Sequence, residues 1–212
     1  FEDSQQRLGL AHIDILYVHD IGRDTHGEQH AHYWQQITTG GGFRALDELR
    51  SSGAVKAVGL GVNEWQVVMD SMQEFDLDCT MLAGRYTLLE QNCLTPFLDH
   101  CERRGNAIVV AGPFNSGILA GNTKFNYAEA PPAVVGRVNA LTRICEKFNI
   151  PLQAAALQFP LAHPAVVSCV VGTETAAQLH QNVAWLKQPI PAELWQALRQ
   201  SDLLHPAAPV PA

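Results

Sequence analysis

The 212-residue sequence predicts an α/β fold built on a parallel sheet. Three observations carry that expectation. Short apolar runs of strand length alternate with amphipathic helical stretches along the whole chain. The runs are continuous rather than alternating, which suits strands buried on both faces. Each run ends in small or polar residues, and in parallel sheets the binding groups gather at that end.

The elements follow in order. "FEDSQQRL", 1–8, reads as the second half of an amphipathic helix with Phe1 and Leu8 on one face, stopped by Gly9. A helix entered in mid-course leads us to expect chain before residue 1. "IDILYVH", 13–19, is the first strand. The polar stretch 20–41, "DIGRDTHGEQHAHYWQQITTGG", shows no helical period and is expected to be a long loop. "FRALDELR", 43–50, spaces apolar residues at 43, 46 and 49 and is a helix closed by Gly53. "AVKAVGLGV", 54–62, is the second strand, and "EWQVVMDSMQEF", 64–75, the helix after it. "CTMLAG", 79–84, "LTPFLDHCERRG", 94–105, and "AIVVAGP", 107–113, continue the alternation as strand, helix, strand. Residues 133–149 form a long helix, and 151–161 another, with Pro151 at its start. "VVSCVVGT", 166–173, is the fifth strand, followed by helices over 174–186 and 191–200. Residues 1–203 are expected to form one domain, and the Pro/Ala-rich end, 204–212, to be a flexible tail.

Strict alternation of this kind demands parallel strands joined by crossover helices. Two architectures satisfy it: a doubly wound open sheet, or part of a (β/α)8 barrel. A full barrel takes eight strands and roughly 250 residues. Periodicity alone leaves that choice open.

Composition removes several function classes. With 47% hydrophobic and 17% charged residues the chain has ordinary globular content. A net charge of -7 argues against a nucleic-acid partner. No apolar run approaches the ~18 residues of a membrane span, and no signal-peptide pattern is visible. Cys79, Cys93, Cys101, Cys145 and Cys169 include no CxxC pair and sit in apolar surroundings, as reduced thiols of a cytoplasmic protein do.

The strand ends carry the chemistry. They supply His19 and Asp20; Gly61 and Asn63; Gly84, Arg85 and Tyr86; Gly112, Asn115 and Ser116; and Gly172 and Thr173. A single such residue means little, but recurrence at one end of all five strands indicates a binding site. "GPFNSGILAG", 112–121, is a loop of small and hydrogen-bonding groups. "VGTETAAQLHQN" sets Gly172 and Thr173 at a helix start, where free N–H groups favour an anion. Neither stretch matches GxGxxG or a P-loop. In "HGEQHAH", His26, Glu28, His30 and His32 have spacing that could suit zinc on a helix. Gly27 and the loop composition weigh against a helix, so no metal is expected and the loop is taken as a substrate-side lid or a surface excursion.

The segments "RLGLAHIDILYVHD", "GGFRALDELRSSGAVKAVGLGVN", "AGRYTLLEQ", "GPFNSGILAG" and "VGTETAAQLHQNV" together resemble the C-terminal part of the aldo-keto reductase family, in the family's order over residues 4–186. "HDIGRDTHG", "GLGVNEW" and "FNSGILAG" resemble the branch of aldose dehydrogenases acting on L-fucose, L-galactose or D-threo-aldoses, with pyridoxal dehydrogenases similar in the same segments. The resemblance implies an incomplete (β/α)8 TIM barrel, with the five strands as strands four to eight. It implies a nicotinamide cofactor and a small sugar or aldehyde substrate.

Carried over residue by residue, the resemblance makes His19 the catalytic histidine that orients the reacting oxygen. Asn63 is the asparagine on the nicotinamide carboxamide, and Tyr86 of "RYTLL" joins the cofactor contacts. Val62 stands where the wider family usually has serine, and Ala83 where it often has glutamine. Phe114, Asn115, Ser116, Gly117 and Leu119 belong to the loop that wraps the pyrophosphate; Gly172, Thr173, Gln178, Gln181 and Asn182 to the adenosine end. The wider family's NADP users commonly carry a basic residue after the last strand's glycine. Here stand Thr173 and Glu174, with no Lys or Arg up to Asn182, so NAD is expected over NADP. The family's Asp, Tyr and Lys that work with the histidine lie on segments before the first strand of this sequence. The expectation is a marginally stable, poorly active chain that forms homo-oligomers through open barrel edges; the alternative is a non-catalytic module that binds a nucleotide or a partner.

Overall fold

The computed structural model describes residues 1–211. Among the described residues, ten α-helices and seven strands succeed one another, and the five strands of the main sheet alternate with helices as expected. Helix α1 (Glu2–Leu8) precedes β1 (Ile15–His19), and α2 (Arg23–His26), α3 (His30–Ile37) and α4 (Gly42–Ser51) lead to β2 (Ala57–Val62). Helix α5 (Trp65–Glu74), β3 (Cys79–Ala83), α6 (Asp99–Arg104) and β4 (Ala107–Ala111) come next. A small hairpin, β5 (Lys124–Phe125) and β6 (Ala128–Glu129), then interrupts the alternation before α7 (Pro132–Lys147) and α8 (Leu152–Gln158). The chain closes with β7 (Val166–Val170), α9 (Ala176–Lys187) and α10 (Ala192–Gln200).

Five strands pair in parallel in the order β1-β2-β3-β4-β7. This order never reverses, so the sheet has no switch point and is not doubly wound. Crossovers that always step the same way, right-handed as such connections are, place the helices between these strands on one face of the sheet. The two faces differ accordingly. Val58, Leu60, Val62, Leu82, Ile108 and Val110 are buried beneath the helices. The opposite face carries Tyr17, Gly59, Cys79 and Ala107 in one row, and His19, Gly61, Met81 and Val109 in the next. That face is only partly covered at Met81, Val109 and Tyr17. Burial on both faces, expected from the continuous apolar runs, is therefore corrected: one face is tight and the other is open. Gly59 has a local reason, since a Cβ there would lie 1.9 Å from the Cys79 carbonyl oxygen.

One core runs through the chain, from Ile21 to Ala208. Helix α8 buries Leu152, Ala154, Ala155, Ala156 and Leu157, so its small residues let it sit between neighbours. Helix α9 packs on α8 yet leaves Leu179, Val183 and Leu186 exposed along one stripe. The outer edges of the sheet expose Ile15 on β1 and Val167 and Val170 on β7.

Three expectations need correction. The stretch 20–41 is mostly helical. Glu64 accepts the amides of Arg23 and Asp24 at the start of α2, and His30 is buried with Nδ1 2.8 Å from the Ile21 carbonyl. The end of the chain does not fray over 204–208. Leu204 and Ala208 are buried, and Arg199 donates to the Ala208 carbonyl at 2.6 Å. Leu8, expected on a buried face with Phe1, is 61% exposed, and α1 buries no residue. No described helix is long and apolar enough to cross a membrane.

Candidate functional site

The C-terminal ends of β4 and β7 open onto a cleft of about 690 Å³. One wall is the loop after β4, with Gly112, Phe114, Ser116 and Gly117; the other is the segment after β7, Gly172 to Glu174, with Gln178, Gln181 and Asn182 on α9. Phe114 meets Trp185 edge to face at 6.4 Å across its floor. Gly117 has φ +98, and a Cβ there would fall 2.7 Å from the Asn122 amide, so the loop's tight turn needs glycine. Asn115 and Ser116 also take left-handed backbone, at φ 47 and 58. Such strain in non-glycine residues gathers where a loop is shaped for a ligand.

The expected cofactor residues divide into those on the cleft and those behind it. Phe114, Ser116, Gly117, Gly172, Thr173, Gln178, Gln181 and Asn182 line it. Asn115 does not: it is 2% exposed, and its amide donates to the Gly84 carbonyl and to Glu90, each at 3.1 Å, bracing the loop from below. Leu119 and Tyr86 are fully buried. Tyr86 packs against Phe159 and edge-on against His163, and its hydroxyl finds no partner. Neither Tyr86 nor Leu119, both expected among the ligand contacts, lines this cleft; both pack into the core.

The helix start after β7 is also corrected. Helix α9 begins at Ala176, not at Glu174, with Thr175 as its N-cap. Thr175 Oγ1 accepts from the Gln178 amide at 3.2 Å, while Gln178 Oε1 accepts the amides of Glu174 and Thr175 at 2.7 and 3.2 Å. This capping box consumes donors that would otherwise face an anion. Gly172 and Thr173 thus offer room and a hydroxyl to the cleft, while the capping box takes up the amides of Glu174, Thr175 and Gln178.

Asn63 stands apart, in a smaller cavity of about 240 Å³ with Glu64, Trp65, Arg85 and Glu90. Its amide donates to the Ala83 carbonyl at 3.3 Å and its carbonyl accepts Arg85 Nε at 2.9 Å. Arg85 Nη1 also reaches Glu90 at 3.1 Å and Asn126 Oδ1 at 3.0 Å, tying the ends of β2 and β3 to the hairpin. Burial pushes the Glu90 carboxyl pKa up, against the pull of Arg85 and Asn115. No spacing rule in the sequence singles out this network, although Arg85 is one of the strand-end residues.

His19 ends the edge strand β1 with its side chain 89% exposed and Nε2 3.6 Å from Asp20. Tyr17 shares its face, but burial and a hydrogen bond to Cys79 push the phenol pKa up, the wrong direction for a proton donor near neutrality. Lys56 pairs with Asp14 at 2.7 Å at the opposite end of these strands. His26 and His30 contact the carbonyls of Asp20 and Ile21. Among the described residues no group of three His, Cys, Asp or Glu is placed to hold a metal ion. The five cysteines are free thiols, and burial pushes Cys93, Cys101 and Cys169 up to about 12.

The cleft's size suits a small-molecule ligand. Its aromatic floor, amide side chains and glycine walls fit the nucleoside half of a dinucleotide. Glu174 is the single charged residue on its lining, so a bound diphosphate would rest on neutral donors.

A sequence model described as "Aldo/keto reductase family" matches residues 1–202. Pyridoxal 4-dehydrogenase of Microbacterium luteolum is 53% identical, over 96% of this chain and 61% of its own length. D-threo-aldose 1-dehydrogenase of a Pseudomonas species is 39% identical, over 95% of this chain and 60% of its own length. The chain therefore spans about three fifths of these curated relatives. An aldo-keto reductase of Bacillus halodurans in its apo form superposes with a TM-score of 0.69 at 21% identity, covering 98% of this chain and 67% of that one, which shows the fold. The chain belongs to the aldo/keto reductase family.

Proposed function

We propose that this chain carries the nucleotide-binding part of an oxidoreductase that moves a hydride between NAD and a small carbonyl or hemiacetal, an aldose or a pyridoxal-like aldehyde. The observation behind this reading is the glycine-walled cleft between the β4 loop and α9, free of Lys and Arg and with Glu174 as its sole charged residue. In this reading the five strands are strands four to eight of a (β/α)8 barrel. Gly172, Thr173, Gln181 and Asn182 hold the adenosine end. Ser116 and the glycine turn at Gly117 hold the diphosphate. Asn63 orients the nicotinamide through its carboxamide.

The bound nicotinamide supplies the hydride acceptor or donor. The chain's own residues bind and orient. Ser116 Oγ accepts the Tyr127 amide at 3.0 Å and keeps its own O–H to donate to a ligand. Glu174 repels a 2′-phosphate and leaves a free 2′-hydroxyl tolerated, which favours NAD over NADP. His19 orients the reacting oxygen. With the Tyr17 phenol pushed up by burial and Lys56 paired with Asp14, nothing beside His19 on β1 lowers the barrier to proton transfer, so turnover by this chain is slow. That same isolation of His19 supports a second reading, a module that binds the nucleotide without turnover. Homo-oligomers form through the edges of β1 and β7, and the free thiols suit a reducing cytoplasm.

Calorimetric titration with NAD and NADP, run beside a panel of aldoses and pyridoxal, tests this. NAD binding with slow turnover supports the first reading, and NAD binding without turnover the second. Absence of binding by both dinucleotides refutes the cleft as a cofactor site.

A further inference from the structure

We propose that Tyr127, at the tip of the β5–β6 hairpin, is a cofactor-contact residue whose ring closes over the middle of a bound dinucleotide. The proposal rests on the cofactor reading above and adds a residue to it. Three observations converge on Tyr127.

The first is its exposure. Tyr127 is the most exposed large hydrophobic residue described, at 78%. A ring packed on nothing contributes little to the fold.

The second is its backbone. Asn126 and Tyr127 take φ +47 and +66 at the two central positions of the hairpin. Positive φ at both is what a type I′ turn requires, and glycine is the relaxed residue at the second position. Tyrosine is strained there. The Lys124–Glu129 ion pair and the Lys124 amide bond to Asn122 close the hairpin without any help from the ring.

The third is what the tip touches. The Tyr127 amide donates to Ser116 Oγ at 3.0 Å, on the large cleft. The Tyr127 hydroxyl lies 3.5 Å from Asn63 Nδ2, on the smaller cavity. Asn126 Oδ1 takes Arg85 Nη1 at 3.0 Å, which fixes the tip above the ends of β2 and β3. Tyr127 lines neither cavity itself but touches one residue of each, so a ligand extended from Thr173 past Ser116 to Asn63 would run beside its exposed ring. The phenol–Asn63 contact is at the limit of hydrogen-bond length and is the weakest of the three. It is the one that yields when a carboxamide takes the Asn63 amide, leaving the ring to lie on the ligand face.

The ring's position predicts selectivity by ligand length. NAD reaches from the Gly172 end to Asn63; AMP occupies only the Gly172 end. We would titrate NAD and AMP into the full chain and into Tyr127→Asn and Tyr127→Phe. Asparagine tolerates the left-handed turn and removes the ring. Y127N should weaken NAD binding roughly tenfold, the worth of one aromatic contact, and change AMP by less than about twofold. Y127F keeps the ring and should stay within about twofold of the parent for both. NAD, and not AMP, should slow nitration of Tyr127 by tetranitromethane. The proposal is overturned if Y127N binds NAD as well as or better than the parent, or if it weakens NAD and AMP equally. A parent that binds AMP and not NAD also overturns it while keeping the adenosine end. A parent that binds neither refutes the cofactor reading itself.

Discussion

Replacing Arg85 by alanine probes the hinge of the site. The guanidinium makes three interactions: Nε to the Asn63 carbonyl at 2.9 Å, and Nη1 to Glu90 at 3.1 Å and to Asn126 at 3.0 Å. Its side chain is 26% exposed and that of Glu90 23%, so the pair is largely shielded. Each hydrogen bond contributes about 1 kcal/mol net, for a total of about 3 kcal/mol before any further loss from the carboxylate left without its cation. At roughly 2–4 °C per kcal/mol for a chain this size, the melting temperature falls by about 6–12 °C. Burial already raises the Glu90 pKa in the folded state, and loss of Arg85 raises it further. A carboxyl with a raised folded pKa binds its proton more tightly when folded, so stability falls as pH rises through the interval between its unfolded and folded values. The destabilisation by R85A is therefore greatest at pH 7 and shrinks in mildly acidic buffer, as Glu90 takes a proton. Adding Glu90→Gln to R85A should recover part of the loss at pH 7. Urea unfolding followed by tryptophan fluorescence at pH 7 and in mildly acidic buffer measures this. A loss under about 0.5 kcal/mol, the worth of an exposed pair, or one that is the same at both pH values refutes the reasoning.

Tyr86→Phe should stabilise the fold by about 1 kcal/mol, because it removes a buried hydroxyl with no partner; lower stability in urea would show that the hydroxyl is satisfied. Gly59→Ala should cost about 3 kcal/mol or more, since its Cβ meets the Cys79 carbonyl oxygen at 1.9 Å and strand β2 must shift; an unchanged urea midpoint would rule out that contact. Glu174→Lys reverses a charge beside the proposed 2′-hydroxyl position. At ~6 Å in salted water this moves the NAD to NADP affinity ratio toward NADP by about tenfold, read by calorimetry; an unchanged ratio would place Glu174 away from that end.

Much of this fold is legible because its signals are local. Phe43 and Leu46 sit on one face of α4, and Val67, Val68, Ser71 and Met72 on one face of α5, as their spacing requires. The stretch after β1 escaped notice because a histidine does an apolar residue's job. His30, Tyr33, Trp34 and Ile37 do recur at helical spacing, but His30 reads as polar until its burial and its bond to Ile21 are known. The β5–β6 hairpin has two-residue strands, too short for any period, and its Asn126–Tyr127 turn lacks the usual glycine. Residues 203–208 look like a tail because what anchors them is remote. Arg137 reaches the Leu203 carbonyl, and the Gln91 carbonyl oxygen accepts the His205 amide at 2.7 Å. For the site, motif position gives no side-chain direction. Ser116 points to the cleft, while Asn115 and Leu119 in the same loop point into the protein.

The geometry separates binding from chemistry. The cleft is assembled from β4, its loop, β7 and α9, and these elements are braced by internal contacts such as the Thr175–Gln178 box and Asn115. The residue proposed to meet the reacting oxygen, His19, sits instead on β1, an edge of the sheet. A group that handles a developing charge needs a fixed rotamer and exclusion of water. An imidazole 89% exposed, with a 3.6 Å contact to Asp20, has neither. On the proposed reading, nucleotide affinity would be set by residues the sheet already holds in place, whereas catalytic competence would depend on cover along the outer edge of β1. Whatever packs there buries His19 and Ile15 together, so association at that edge should raise turnover while leaving nucleotide affinity nearly unchanged.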